Sequence, residues 1–143
     1  MKKHILLLTL AFAAIVTSCK EEKEATQMKE VIAVHDEVMP KMGQLGQLVG
    51  KLKERENDST DLGKEYREAR IDLQEANQAM MDWMQNFGDR FSPDEIMKGK
   101  ELSPEKQEWL DEEEEKVKAL REQINSSIEN AQEVLAVDND TTS

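Results

Sequence analysis

The chain has 143 residues, enough for one domain with a modest core. Its 31 acidic and 19 basic residues give a net charge of −12, which argues against nucleic acid as a partner, because phosphate binding needs a basic surface. The same charge opposes attachment to an anionic membrane through the protein surface, and an aromatic content of only 4% favours long helices over a sheet, so the expected class is all-α.

Lys2, Lys3 and His4 precede an apolar run from Ile5 to Val16. As a helix that run spans about 18 Å, against a hydrocarbon thickness of about 30 Å, so it reads as a signal-peptide core and not as a permanent membrane span. Val16-Thr17-Ser18-Cys19 resembles the bacterial lipobox, an aliphatic residue and two small ones before cysteine. The resemblance implies a lipoprotein signal peptide over 1–18, cleavage before Cys19, and lipidation of Cys19 with acyl chains such as palmitate. The alternative is an ordinary secretory signal with an incidental cysteine. Cleavage removes Lys2 and Lys3 but no acid, leaving 17 basic and 31 acidic residues and a charge of −14. Cys19 is the only cysteine, so no disulfide forms within one chain. Residues 19–27 are expected to form a lipidated N-terminus and linker. In it, Lys20-Glu21-Glu22 resembles the Lys-acid-acid signal that directs Bacteroidota lipoproteins to the outer face of the outer membrane, the alternatives being a periplasm-facing orientation and a plain solvated linker.

From Met28 an apolar seam steps by three and four through Val31, His35, Val38, Met42, Leu45, Val49 and Leu52, widened by Ile32, Met39 and Leu48. The spacing predicts helix one over 22–56, kinked at Pro40, with Gly43, Gly46 and Gly50 marking either close approach by another backbone or a pliable half. Asn57 to Thr60 ends it and offers caps for helix two, predicted over 60–87 with Leu62, Tyr66, Ala69, Leu73, Ala76, Met80, Trp83 and Phe87 inward and Gly88 as the stop. Ser92-Pro93-Asp94-Glu95 has capping-box spacing and predicts a short helix at 93–98 before Gly99. Ser103-Pro104-Glu105 opens helix three over 104–136, facing inward with Leu110, Val117, Leu120, Ile124, Ile128, Ala131 and Leu135. The polar end, 138–143, reads as a disordered tail. Short connections between amphipathic helices predict, over 28–137, an antiparallel up-down-up three-helix bundle with a short extra helix between helices two and three.

Folding back near residue 58 places His35, Met39 and Met42 level with Met80, Met81, Trp83 and Met84, with Phe87 and Trp109 at the same end. Thioether and imidazole donors at i, i+4 and i+7 suit a soft ion such as Cu(I), so His35, Met39 and Met42 are the alternative metal ligands. The adopted reading is core packing, in which methionines fill gaps against tryptophan and no metal or other cofactor is bound. Asp111 to Glu115 reads as a solvated helix face with Lys116 and Lys118 as ion-pair partners four residues on. Asp58-Ser59-Thr60 and Asp140-Thr141-Thr142 resemble the pattern that Bacteroidota O-glycosylate, making Ser59 and Thr141 candidate acceptors; turn and cap chemistry and plain disorder are the alternatives. The sequence carries none of the glycine, serine, zinc or phosphate motifs of common enzymes, so no catalytic residue is assigned.

At His35-Asp36-Glu37-Val38-Met39-Pro40-Lys41-Met42-Gly43 and Met80-Met81-Asp82-Trp83-Met84 the chain resembles small uncharacterised lipoproteins of Bacteroidota, some of them labelled viral A-type inclusion protein. The resemblance covers most of the mature chain and implies a fold and an address without a catalytic residue. The expected function is a non-enzymatic, membrane-anchored envelope module, on the outer membrane, that binds another protein or itself through a helix face. The alternatives are a copper-binding or stress-sensing lipoprotein using His35, and a Met-rich periplasmic holdase.

Overall fold

A computed structural model describes the backbone over residues 23–141 and the side chains over 23–137. Regular structure among these residues is entirely helical: α1 over 23–38, α2 Lys41–Arg55, α3 Asp61–Arg90, α4 Pro93–Lys98 and α5 Pro104–Thr141. No helix among the described residues is long and apolar enough to cross a membrane. The signal segment, Cys19 and Lys20-Glu21-Glu22 lie outside the described residues.

Pro40 divides the first predicted helix in two. It has no N–H to donate, and hydrogen bonding shifts to a tighter turn in which the Met42 N–H reaches the Met39 carbonyl at 3.2 Å. Pro40 itself stays in the right-handed helical region at φ −62°, ψ −25°. The seam therefore continues across the break, with Val38 and Leu45 buried on either side of it. The helix over 23–27 agrees with the predicted start of helix one at 22 and leaves the linker expected over 19–27 no room in these residues, which pack: Glu24 and Met28 are buried, and the Gln27 amide donates to Asp111 and Glu114 on α5 at 2.8 and 2.7 Å.

The connection from α2 to α3 is organised by Asn57. Its side-chain oxygen accepts from the Ser59 and Thr60 N–H groups at 3.0 and 3.1 Å, and the Thr60 hydroxyl caps α3 by accepting from the Gly63 N–H at 3.0 Å. Asn57 thereby lies across Gly63, where an added Cβ would meet its backbone oxygen at 2.6 Å.

Gly88 does not stop α3. The helix runs on to Arg90, and Phe91 then turns extended and buries its ring. The extra residues carry Arg90 to partners on α5, described below, and those contacts outweigh the small helical penalty of one exposed glycine. At α4 the expected cap forms in full: Ser92 accepts from the Glu95 N–H, the Glu95 carboxylate accepts from the Ser92 N–H at 2.7 Å, and Gly99 ends the turn at φ 65°. α5 continues through Asp138-Asn139-Asp140 to Thr141, past the predicted end at 136 and into the expected disordered tail. After Pro104 it contains neither proline nor glycine, so nothing in its backbone chemistry breaks the ladder.

The core is one cluster built from the predicted seams. Leu52, Leu73, Met80, Leu110 and Ile124 are fully enclosed, each burial contributing about 1.5–3 kcal/mol before entropy is counted. Polar pairings record how the helices lie. Gln27 meets Asp111 and Lys41 meets Asn125, both 84 residues apart, with Glu37 beside Arg121 between them. From Arg90 through Trp83 to Asp72, the neighbours on α5 pass from Glu113 through Leu120 to Asn130. His35 lies beside Trp83, and Glu56 beside Arg70.

Gly43, Gly46 and Gly50 are exposed, and a Cβ at any of them would meet nothing within 4 Å. Close approach by another part of the chain is therefore not their role, whereas Gly63 is in contact. Replacement should separate the two kinds of glycine with opposite signs. In thermal melts Gly46→Ala should stabilise by about 0.5–1 kcal/mol, while Gly63→Ala should destabilise by about 1–3 kcal/mol through its clash with Asn57.

Candidate functional site

The fold brings together part of the predicted His, Met and Trp cluster toward the Arg90 end of α3. The His35 ring stacks on Trp83 at 5.8 Å between centroids, Trp83 on Phe87 at 4.9 Å, and Phe87 meets Phe91 at 4.9 Å. Trp83 and Phe87 share one side of α3 because they lie one helical turn apart, and Phe91 continues the ladder of rings from the extended residue just past the helix end. Met80 is buried, and Met39, Met42 and Met84 are partly buried against the core. Met81 is 52% exposed and stands outside the cluster. Trp109 lies at the same end but outside the ring ladder, beneath the Arg90 guanidinium at 5.4 Å, a cation–π contact.

His35 Nδ1 lies 2.9 Å from Asp36 Oδ1. An ionised carboxylate only accepts, so Nδ1 carries the hydrogen, and in the neutral ring Nε2 presents a lone pair. Nε2 is buried with no hydrogen-bond partner among the described residues, as is the Trp83 indole nitrogen. No group of three or more His, Cys, Asp or Glu residues placed to hold a metal ion occurs among the described residues.

Beside the ladder, α3 and α5 enclose an open groove of about 360 Å³, floored by Ala79, Trp83 and Leu120 and edged by Asp82, Asn86 and Lys116. At its end sits Glu113, only 1% exposed. One Glu113 oxygen accepts from Arg90 and from Lys116, both at 2.9 Å, and Arg90 also reaches Glu112 at 2.8 Å. The acidic run is thus not wholly a solvated face. Lys118 does pair with Glu114, at 2.5 Å, and Lys116 approaches Glu112 at 3.7 Å, as the spacing predicts. Glu113, however, occupies the seam position between Leu110 and Val117. The seven-residue gap between those two apolar residues was the signal for it.

The end of the molecule around α4 carries a second buried acid. Glu95 takes the Lys106 ammonium on both oxygens, at 2.9 and 2.7 Å, besides closing its capping box. Burial pushes its carboxyl up, but the Lys106 hydrogen bond, the Ser92 backbone and hydroxyl and the Lys106 charge together hold it below the usual carboxylate range. Leu102 donates its N–H to Glu24 across the same end, at 3.4 Å. Ser59 is exposed in the connection before α3, and Thr141 is the last residue of α5, its side chain outside the described residues.

Because the folded carboxyl of Glu95 titrates below its unfolded value, its contribution to stability is complete above the ordinary carboxylate range. It is lost as pH falls through the lowered folded value. Glu95→Gln should therefore lower stability near neutral pH by about 1–3 kcal/mol and flatten the acid limb, as denaturant melts at a series of pH values would report. No protein-family model, no curated protein and no solved structure matches this chain.

Proposed function

We propose that this chain is a non-enzymatic lipoprotein of the cell envelope, held to the outer membrane by lipid on Cys19, whose helical body serves as a spacer and docking module for another protein. The body is an antiparallel up-down-up three-helix bundle, with α1 and α2 together as the first long element, α3 as the second and α5 as the third. The constant 84-residue offset between α1–α2 and α5 supports that topology, as does the opposed order of neighbours along α3 and α5. The lipobox-like Val16-Thr17-Ser18-Cys19 supports the anchor, and the likeness to small Bacteroidota lipoproteins supports the address.

The observation that carries the docking role is the outer face of α2. Gly43, Gly46 and Gly50 lie open there, each costing up to about 1 kcal/mol relative to alanine, with no contact inside the fold to compensate. A surface lacking Cβ atoms lets a partner's backbone come close. The test is photo-crosslinking in intact cells from a reactive side chain placed at Gly46, combined with external protease. The expected result is one stoichiometric partner on the wild-type anchor, and release of the protein from the membrane fraction in Cys19→Ala. Capture of only the protein itself would transfer the face to self-association, and Cys19→Ala remaining in the membrane would remove the lipid anchor. Cleavage by the added protease would assign the outer surface.

One observation favours a second reading, soft-metal binding: the buried, unpartnered Nε2 of His35, whose other nitrogen is oriented by Asp36 in the manner of a ligating histidine. On this reading Cu(I) quenches Trp83, which stacks on the ring, and His35→Ala abolishes the response. Unchanged fluorescence of the wild-type chain at micromolar Cu(I) removes it.

A further inference from the structure

We infer that α4 is a second membrane contact, with Met97 inserted at the acyl boundary of the bilayer and Lys98 and Lys100 bound to lipid phosphates. The inference rests on the lipid-anchor reading of Cys19. Met97 is 80% exposed, the most exposed large hydrophobic side chain among the described residues, although its neighbour Ile96 packs against the core. The capping box and the Gly99 turn hold this one-and-a-half-turn helix in shape, so little ordering is needed when Met97 is covered.

Its place in the fold selects the occupant. A Cβ at Gly99 would sit 3.2 Å from the Ala25 Cβ, and Leu102 bonds Glu24, so α4 lies against the first described turns of α1. Chain geometry alone keeps the Cys19 α-carbon within about 14 Å of residue 23, whatever path joins them. A bilayer holding the lipid on Cys19 is therefore within reach of α4. Lys98 pairs with Asp94 at 2.8 Å, but at 74% and 56% exposure this pair is readily exchanged for a lipid phosphate. Lys100 is exposed beside it, and long lysine stems let the ammonium groups stay at headgroup level while Met97 goes deeper. Within 94–101 the two lysines stand against Asp94, Glu95 and Glu101, and Lys106 answers Glu95, so this stretch meets less repulsion at an anionic surface than the strongly acidic body as a whole.

The test uses the full chain carrying Met97→Cys or, as a control, Ile71→Cys. Ile71 is a partly exposed position about 28 Å along α3 from Arg90. With Cys19 acylated, the introduced cysteine is the one free thiol, and it is labelled with a polarity-sensitive dye. The protein is then reconstituted in phosphatidylethanolamine–phosphatidylglycerol vesicles with or without doxyl-labelled lipid, after intact mass has reported the acyl groups. The expected result is an acylated protein whose dye at position 97 shifts to the blue and is quenched several-fold more strongly by doxyl lipid than the dye at 71. An acylated protein whose two dyes respond alike overturns the contact while leaving the anchor standing. Absence of acyl mass overturns the anchor and this contact with it. A blue shift that ignores doxyl lipid but grows with protein density gives the surface to a second copy of the chain and overturns the membrane assignment.

Discussion

No helix of this chain can shield its own apolar stripe, and that constraint fixes most of the structure. Each long helix carries a seam of residues spaced by three and four, too narrow to be buried by folding on itself and too apolar to be left in water. With few aromatics available, the enclosed volume is filled by Leu52, Leu73, Met80, Leu110 and Ile124, drawn from α2, α3 and α5. Three of the buried aromatic rings, Trp83, Phe87 and Phe91, stack on one another at one side of that core. A core of this kind tolerates a break such as Pro40, because the seam is defined by side chains and not by an unbroken backbone.

Where a polar residue enters the seam, the surroundings reorganise around it. Glu113 brings Arg90 and Lys116 onto one oxygen, and Arg90 in turn covers Trp109. A carboxylate almost wholly withdrawn from water is costly without a cation, and here Lys116 supplies one from α5 and Arg90 a second, which α3 presents by continuing past Gly88. Glu95 follows the same logic at the α4 end, its charge answered by Lys106 and by the cap that it helps to form. Glu113, which the sequence suggests as part of a solvated face, and Glu95, expected in a capping box, are thus two of the groups that position neighbouring elements.

The apolar periodicity revealed the helices and nearly all their inward residues, because a three-four pattern has few alternative explanations in a charged sequence. The capping box of α4 was legible too, since Ser92, Pro93, Glu95 and Gly99 each have a specific backbone role. Termination was read less well. Gly88 looks like a stop, yet the contacts of Arg90 and Phe91 lie beyond it and are not local in sequence. Asp138 to Asp140 look like a tail, yet nothing in α5 interrupts its hydrogen bonding. Trp109 was placed by height alone, and height does not say which way around α5 a side chain points. Of the candidate site, the contact between His35 and Trp83 followed from the fold-back point, whereas the buried Nε2 depends on side-chain geometry that spacing does not encode.

The steady pairing of Gln27, Glu37 and Lys41 with partners along α5 also bears on mechanics. A pull applied between residues 23 and 141 acts along the shared axis of elements that advance in step. It strains the polar pairs and the seam beneath them simultaneously, in shear, and does not peel them open one after another. Pro40 divides one side of that joint, while α5 remains a single rod of 38 residues, about 57 Å long. Stiffness therefore resides in α5, and the Met39–Pro40 turn is the compliant point between α1 and α2.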